Sequence, residues 1–154
     1  MSNLLVQNIK HTNNTSAQTI DTSGRTTAVL NNDTTYRSDS GAVTQNMVQG
    51  LCKAWVHFNK QSNPELQDSF NISSLSDTAT GKTTVNVNND FNNNDYACVM
   101  YQNGTSGTGT GDFANGYLGG LLSRGTGSVA CVAYATSGTV DAGLNDVTFH
   151  GDLA

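Results

Sequence analysis

Three histidines, three cysteines and twelve acidic residues are the groups from which this chain would have to build a catalytic or metal-binding site. His11, His57 and His150 share no spacing of the kind a metal motif requires. Cys52, Cys98 and Cys131 include no C-x-x-C pair and cannot all pair within one chain. They read as buried free thiols acting as small hydrophobes. Asp90 with Asp95, and Asp141 with Asp146, are of the type that forms a glycosidase pair, one carboxylic acid protonating while the other attacks or activates water. Their Asn- and Gly-rich surroundings are explained more simply by turn chemistry. The tract Ala79-Thr80-Gly81-Lys82-Thr83 ends like a phosphate loop but lacks the earlier glycine, so it is read as a hairpin turn. Gly107 to Gly111 is rich in glycine, but no Lys-Ser/Thr pair follows it. No catalytic residue, cofactor or metal is expected.

Recognition chemistry is easier to place. Trp55, the one tryptophan, could stack on a sugar ring. Packing under a loop or against a neighbouring subunit is the simpler expectation. The polar loops 89–95 and 103–115 are better contact candidates, because loops on a β scaffold commonly carry binding. Within them Asn92, Asn93, Asn94, Asp95, Asn103, Thr105, Thr108, Asp112 and Asn115 offer amides, carboxylates and hydroxyls that suit carbohydrate hydroxyls.

These groups need a scaffold, and composition restricts its type. Charged residues make up 12% of the 154, against about a quarter in a typical domain. The polarity comes from Asn, Thr, Ser and Gly, which favour turns and sheet faces over long helices. An apolar fraction of 36% suits a modest core completed by oligomerisation. A net charge of −5 with scattered basic residues argues against nucleic acid. No run approaches the roughly 20 apolar residues of a membrane span. Leu4-Leu5-Val6 has no basic lead and does not read as a signal peptide, so a soluble, cytosolically made chain is expected.

Residues 3–9 read as a short strand, and Ser23-Gly24 as a turn. Residues 25–49 hold too few apolar side chains for a core of their own, with a short helix expected over Ser40–Gln49. From residue 51 the pattern changes. Cys52, Ala54, Val56 and Phe58 alternate with Lys53, Trp55 and His57, the mark of a half-buried strand. Further strands are expected over 67–73, 82–88 with Val85 and Val87 inward, 96–102, 116–122 with a bulge at Gly119-Gly120, 129–135 and 146–150. Turns are expected at Pro64, at 77–81 and at Ser137-Gly138. Roughly seven strands at this spacing predict a sandwich or barrel.

The segment from Lys53-Ala54-Trp55-Val56 through Ser69-Phe70-Asn71-Ile72-Ser73-Ser74 to Thr84-Val85-Asn86 resembles one recurring in tail-fibre and related virion proteins of bacteriophages. There, a Lys-Ala-Trp-Val strand precedes a Ser-Phe-Asn-Val-Ser-Ser turn and a Thr-Val-Asn strand. Leu5-Val6-Gln7-Asn8-Ile9 followed by Ile20-Asp21-Thr22-Ser23-Gly24 is similar to the opening of marine-phage fibre proteins. The ending Val147-Thr148-Phe149-His150-Gly151-Asp152 is similar to their terminal Val-x-x-Phe-Gly-Asp, with His150 inserted and two residues added. The resemblance implies a virion structural protein that assembles as a homotrimer. The expectation is an all-β chain with an antiparallel, jelly-roll-like β-sandwich head over 51–154. An N-terminal arm over 1–50 would dock on other virion proteins. Its function would be attachment as a short tail fibre or fibre-like protein, with a host surface glycan as partner. A capsid decoration protein or head fibre is the alternative, and a glycan-degrading enzyme a third reading. No nucleic-acid partner and no membrane insertion are expected.

Overall fold

The structure is a computed structural model and describes residues 8–10, 16–31, 34–37, 44–103 and 118–154. It is almost entirely antiparallel β and divides into two compact units, Met1–Val48 and Gln49–Ala154. In the first unit, β1 (Asn8–Lys10), β2 (Ser16–Ile20) and β3 (Thr26–Ala28) form one small sheet. Next, β4 (Thr35–Arg37) and β5 (Thr44–Asn46) form a two-stranded ladder. The expected turn at Ser23-Gly24 joins β2 to β3, with Gly24 at φ 78°. The helix expected over Ser40–Gln49 is corrected. Residues 40–43 lie outside the described residues; of the rest, Thr44–Asn46 is a strand and α1 (Met47–Gly50) is helical. Val43, Thr44 and Val48 are β-branched and Gly41 is a poor helix former, so a long helix has little local support.

The second unit holds two sheets. In the first, β10 (Ala97–Asn103), β14 (Leu144–His150), β6 (Ala54–Asn59) and β7 (Glu65–Phe70) lie in that order. In the second, β11 (Leu118–Arg124), β12 (Ser128–Ala135), β9 (Lys82–Val87) and β8 (Ile72–Ala79) follow one another, with β13 (Gly138–Thr139) added to β12. The alternation read in the sequence holds. Ala54, Val56 and Phe58 are buried on β6, and Val85 and Val87 on β9. They join Val147 and Phe149 of β14 and Val129 and Cys131 of β12 in one core cluster, to which both sheets contribute. Phe91 and Tyr96 close one end, their rings stacked at 4.1 Å, and each lies 6.1 Å from Phe149. Fully burying a side chain of this size contributes roughly 1.5–3 kcal/mol, so this cluster is the main source of the unit's stability.

Three expectations need correction. The strand expected over 67–73 is two strands in different sheets, β7 and β8, with Asn71 between them at φ 59°. Asn tolerates this left-handed conformation, and its side chain secures the corner. Asn71 Nδ2 donates to the Lys53 carbonyl at 3.1 Å, and Oδ1 accepts the Asn89 backbone N–H at 2.9 Å. Phe70 therefore lies on an outward face, 54% exposed, rather than in the core. The turn expected over 77–81 is confined to Thr80-Gly81, because β8 runs to Ala79. Gly81 is at φ 70°, and a Cβ there would meet backbone atoms of Val140 and Ala133 at 2.7–2.8 Å, so no other residue fits. The bulge on β11 falls between Leu121 and Ser123, not at Gly119-Gly120, which pair in register with Ala133 and Val132.

Candidate functional site

The loop joining β9 to β10 is held at both ends. Phe91 and Tyr96 are buried, and the Phe91 N–H donates to the Thr126 carbonyl at 2.9 Å. The Asn92 N–H donates to the Asp152 carbonyl at 2.9 Å, and Phe91 bridges to Leu153. The Tyr96 hydroxyl donates to the Gly125 carbonyl at 2.8 Å, tying this loop to the β11–β12 hairpin. Gly151 lies so close to Tyr96 that a Cβ would come within 2.5 Å of the Tyr96 Cβ. Between these anchors, Asn92, Asn93, Asn94 and Asp95 form an exposed polar tip. Asn93 Oδ1 accepts the Asp95 N–H at 2.8 Å, an Asx turn that sets the tip's shape.

Beside the tip lies an open groove of about 500 Å³ lined by Asn94, Asp95, Cys98, Leu121, Leu122, Ser123 and Arg124. Arg124 donates from one guanidinium nitrogen to the Tyr96 carbonyl at 2.7 Å, which fixes the head of its side chain at the groove wall. A guanidinium carries five N–H donors in a planar fork, so this bond leaves most of its donors to face a ligand. Asn94 supplies a donor and an acceptor, Asp95 a carboxylate and Ser123 a hydroxyl. The arrangement suits hydrogen bonding to a ligand rich in hydroxyl groups, with Arg124 ready to pair with a carboxylate or similar anion. Cys98 adds no reactivity. Burial pushes its thiol up to about 12, against the pull of Arg124, so it is not a thiolate nucleophile near neutral pH. Burial likewise holds Cys131 at about 12.

The groove therefore collects two of the residues singled out from sequence, Asn94 and Asp95, while Asn92 and Asn93 are exposed on the same loop tip and are not among its lining residues. Asn103 ends β10 opposite Leu144. Thr105, Thr108, Asp112 and Asn115 lie outside the described residues. Sequence reasoning did not single out Ser123 and Arg124. The available signal was that Arg124 is the one arginine after Arg37.

Of the acidic pairs considered as glycosidase acids, Asp141 and Asp146 have other structural partners. Asp141 Oδ1 accepts from Lys60 Nζ at 3.0 Å and from the Gly81 N–H at 2.6 Å. Lys60 is 2% exposed and also pairs with Asp77 at 3.0 Å. Burial alone raises the Asp141 pKa, but the Gly81 N–H and the Lys60 ammonium outweigh it and hold the carboxyl below its ordinary value. Asp146 instead accepts from His57 Nδ1 at 2.7 Å, on the outward face of the four-stranded sheet. Asp95 lines the groove, but Asp90 is not among its lining residues. Among the described residues no three His, Cys, Asp or Glu side chains converge as a metal site, and no helix is long and apolar enough to cross a membrane. No protein-family description, curated protein or solved structure matches this chain.

Proposed function

We propose that this chain is a non-enzymatic structural protein of a bacteriophage particle, a short tail fibre or fibre-like protein that attaches to the host surface. The two sheets around one core are read as a β-sandwich head, and the first unit as the arm that docks on other virion proteins. The head assembles as a homotrimer. The observation that carries attachment is the groove. Asn94, Asp95, Ser123 and Arg124 converge there from two segments held in place by Tyr96. Such a site offers hydroxyl-recognising groups without a reactive thiolate, as a surface that holds a glycan requires. The assignment to a phage particle is supported by the resemblance of residues 53–86 to phage fibre segments.

The reading is tested by incubating the purified chain with polysaccharide from a host envelope. Retention without release of oligosaccharide, lost in Arg124→Ala, is the expected result. Release of oligosaccharide would point to the enzymatic reading and end this one. Gold-labelled antibody on intact particles separates the two virion locations. Label at the tail is expected, whereas label on the capsid surface would favour a decoration protein or head fibre.

A further inference from the structure

The outward faces of the two sheets carry different patches. Across the four-stranded sheet, one outward row runs Val99, Thr148, Trp55 and Phe70 from β10 to β7. The next row runs Tyr101, Asp146, His57 and Asp68. Val99 and Phe70 are more than half exposed, and Tyr101 nearly so. On the five-stranded sheet, Leu118 pairs with Tyr134, and Gly120 with Val132, which in turn pairs with Lys82. Leu118 is 66% exposed. Tyr134 is 39% exposed, whereas Val132, between Gly120 and Lys82, is buried, so the exposed apolar surface on this sheet is Leu118 with Tyr134. A contiguous exposed apolar patch on a soluble domain marks an interaction surface.

We propose that these two faces bind each other between copies of this chain, the aromatic row of one copy seating against Leu118 and Tyr134 of the next, on the sheet face that also carries Lys82. This inference rests on the self-assembly in the reading above and names the surfaces that perform it. Charge decides between a like-with-like and an unlike contact. Residues 49–154 carry four Lys and Arg against nine Asp and Glu. Lys53 and Lys60 are buried, which leaves Lys82 and Arg124 as the surface cations, both on the five-stranded sheet. The described outward face of the four-stranded sheet presents Asp68 and Asp146 and no Lys or Arg. Placed against its own copy, that face would oppose carboxylates, whereas against the other face it meets Lys82. A contact between two different patches is heterologous, the type from which rings of three are built.

The test uses the full chain, with native mass spectrometry and the emission of Trp55, the sole tryptophan. The wild type is expected to assemble at micromolar concentration, with Trp55 emission shifting to shorter wavelength as it does. Asp68→Lys alone and Lys82→Glu alone are each expected to weaken assembly roughly tenfold or more, and the double variant to regain much of it. Far-UV circular dichroism and a thermal melt establish that each variant is folded. Assembly unchanged by both single reversals overturns this pair of surfaces and leaves self-assembly standing. A wild type that stays monomeric at every concentration reached overturns both. Trp55 emission that responds to host polysaccharide but not to protein concentration gives the aromatic face to a glycan and overturns the contact.

Discussion

The two units of this chain solve the problem of order differently. Residues 49–154 bury eleven core residues in one cluster and carry the whole net charge of −5. Residues 1–48 hold three Lys and Arg against three Asp. Among their described residues, none is buried. Their strands are three to five residues long and are held by ladder bonds and local side-chain bonds. Asp21 Oδ1 accepts the Ser23 and Arg25 N–H groups, and the Tyr36 hydroxyl donates to Gln45 across β4–β5 at 2.6 Å. Exposed hydrogen bonds contribute only about 1 kcal/mol each, because water competes for the same groups. Burial makes the second unit cooperative, while the first, with Val29 at 70% and Ile9 at 54% exposed, still has apolar surface to cover.

Substitutions graded by burial test this contrast. Phe149→Ala, at a fully buried position touching both aromatic anchors, is expected to cost about 3–5 kcal/mol in denaturant unfolding. A loss below about 1 kcal/mol would show that the two sheets do not share one core. Lys60→Met removes the ammonium from between Asp77 and Asp141 and leaves both carboxylates without it. About 3 kcal/mol is expected, reduced to the extent that water reaches the two acids.

The same network has a pH signature. The Asp141 pKa is lower in the folded chain than its ordinary 3.8, so the folded state favours the carboxylate. That contribution is fully present above pH 3.8 and is lost as the pH falls through the folded pKa. Acid melts of the wild type should therefore steepen below pH 3.8, and those of Asp141→Asn should be flatter there. Equal slopes would remove Asp141 from the account.

Asn71→Ala places a β-carbon residue without the amide at φ 59° and removes the bonds to Lys53 and Asn89. A loss of about 1–3 kcal/mol is expected by equilibrium unfolding, and Asn71→Gly should recover the backbone part of it. The smallest effect belongs to the first unit. Tyr36→Phe should change the free energy of the main unfolding transition by less than about 0.5 kcal/mol, because Tyr36 is exposed and its hydroxyl makes a local bond to Gln45. A shift as large as that of Phe149→Ala would erase the contrast between the units.

The strands of the second unit were legible wherever alternation ran unbroken. Ala54, Val56 and Phe58 against Trp55 and His57 is a period-two signal that states which face is inward. The short strands of the first unit were not legible, since Thr26–Ala28 and Thr44–Asn46 alternate nothing apolar. Asn71 shows a second limit. Phe70 and Ile72 sit at strand spacing, and only a positive φ between them sends Phe70 outward and Ile72 toward the core. In the groove, Asn94 and Asp95 were readable because a run of Asn and Asp between aromatics makes a polar loop tip. Ser123 and Arg124 were not, because nothing in the local sequence says which loop β11 will lie beside.

By itself the sequence determined the class of the protein. Sparse charge, Asn, Thr and Gly in place of helix formers, and alternating Val and Phe leave an antiparallel β chain as the way to bury what little is apolar. It also determined that residues 25–49 hold few apolar side chains. Only the tertiary structure decided which residues share a surface. Strands 8–12 residues apart in sequence become neighbours or opposites according to where the chain changes sheet, and Asn71 makes one such change. The groove beside Tyr96, the Lys60–Asp141 pair and the aromatic row through Trp55 each join residues far apart along the chain. Their chemistry depends on distances of a few ångströms, which local propensity cannot specify and packing can.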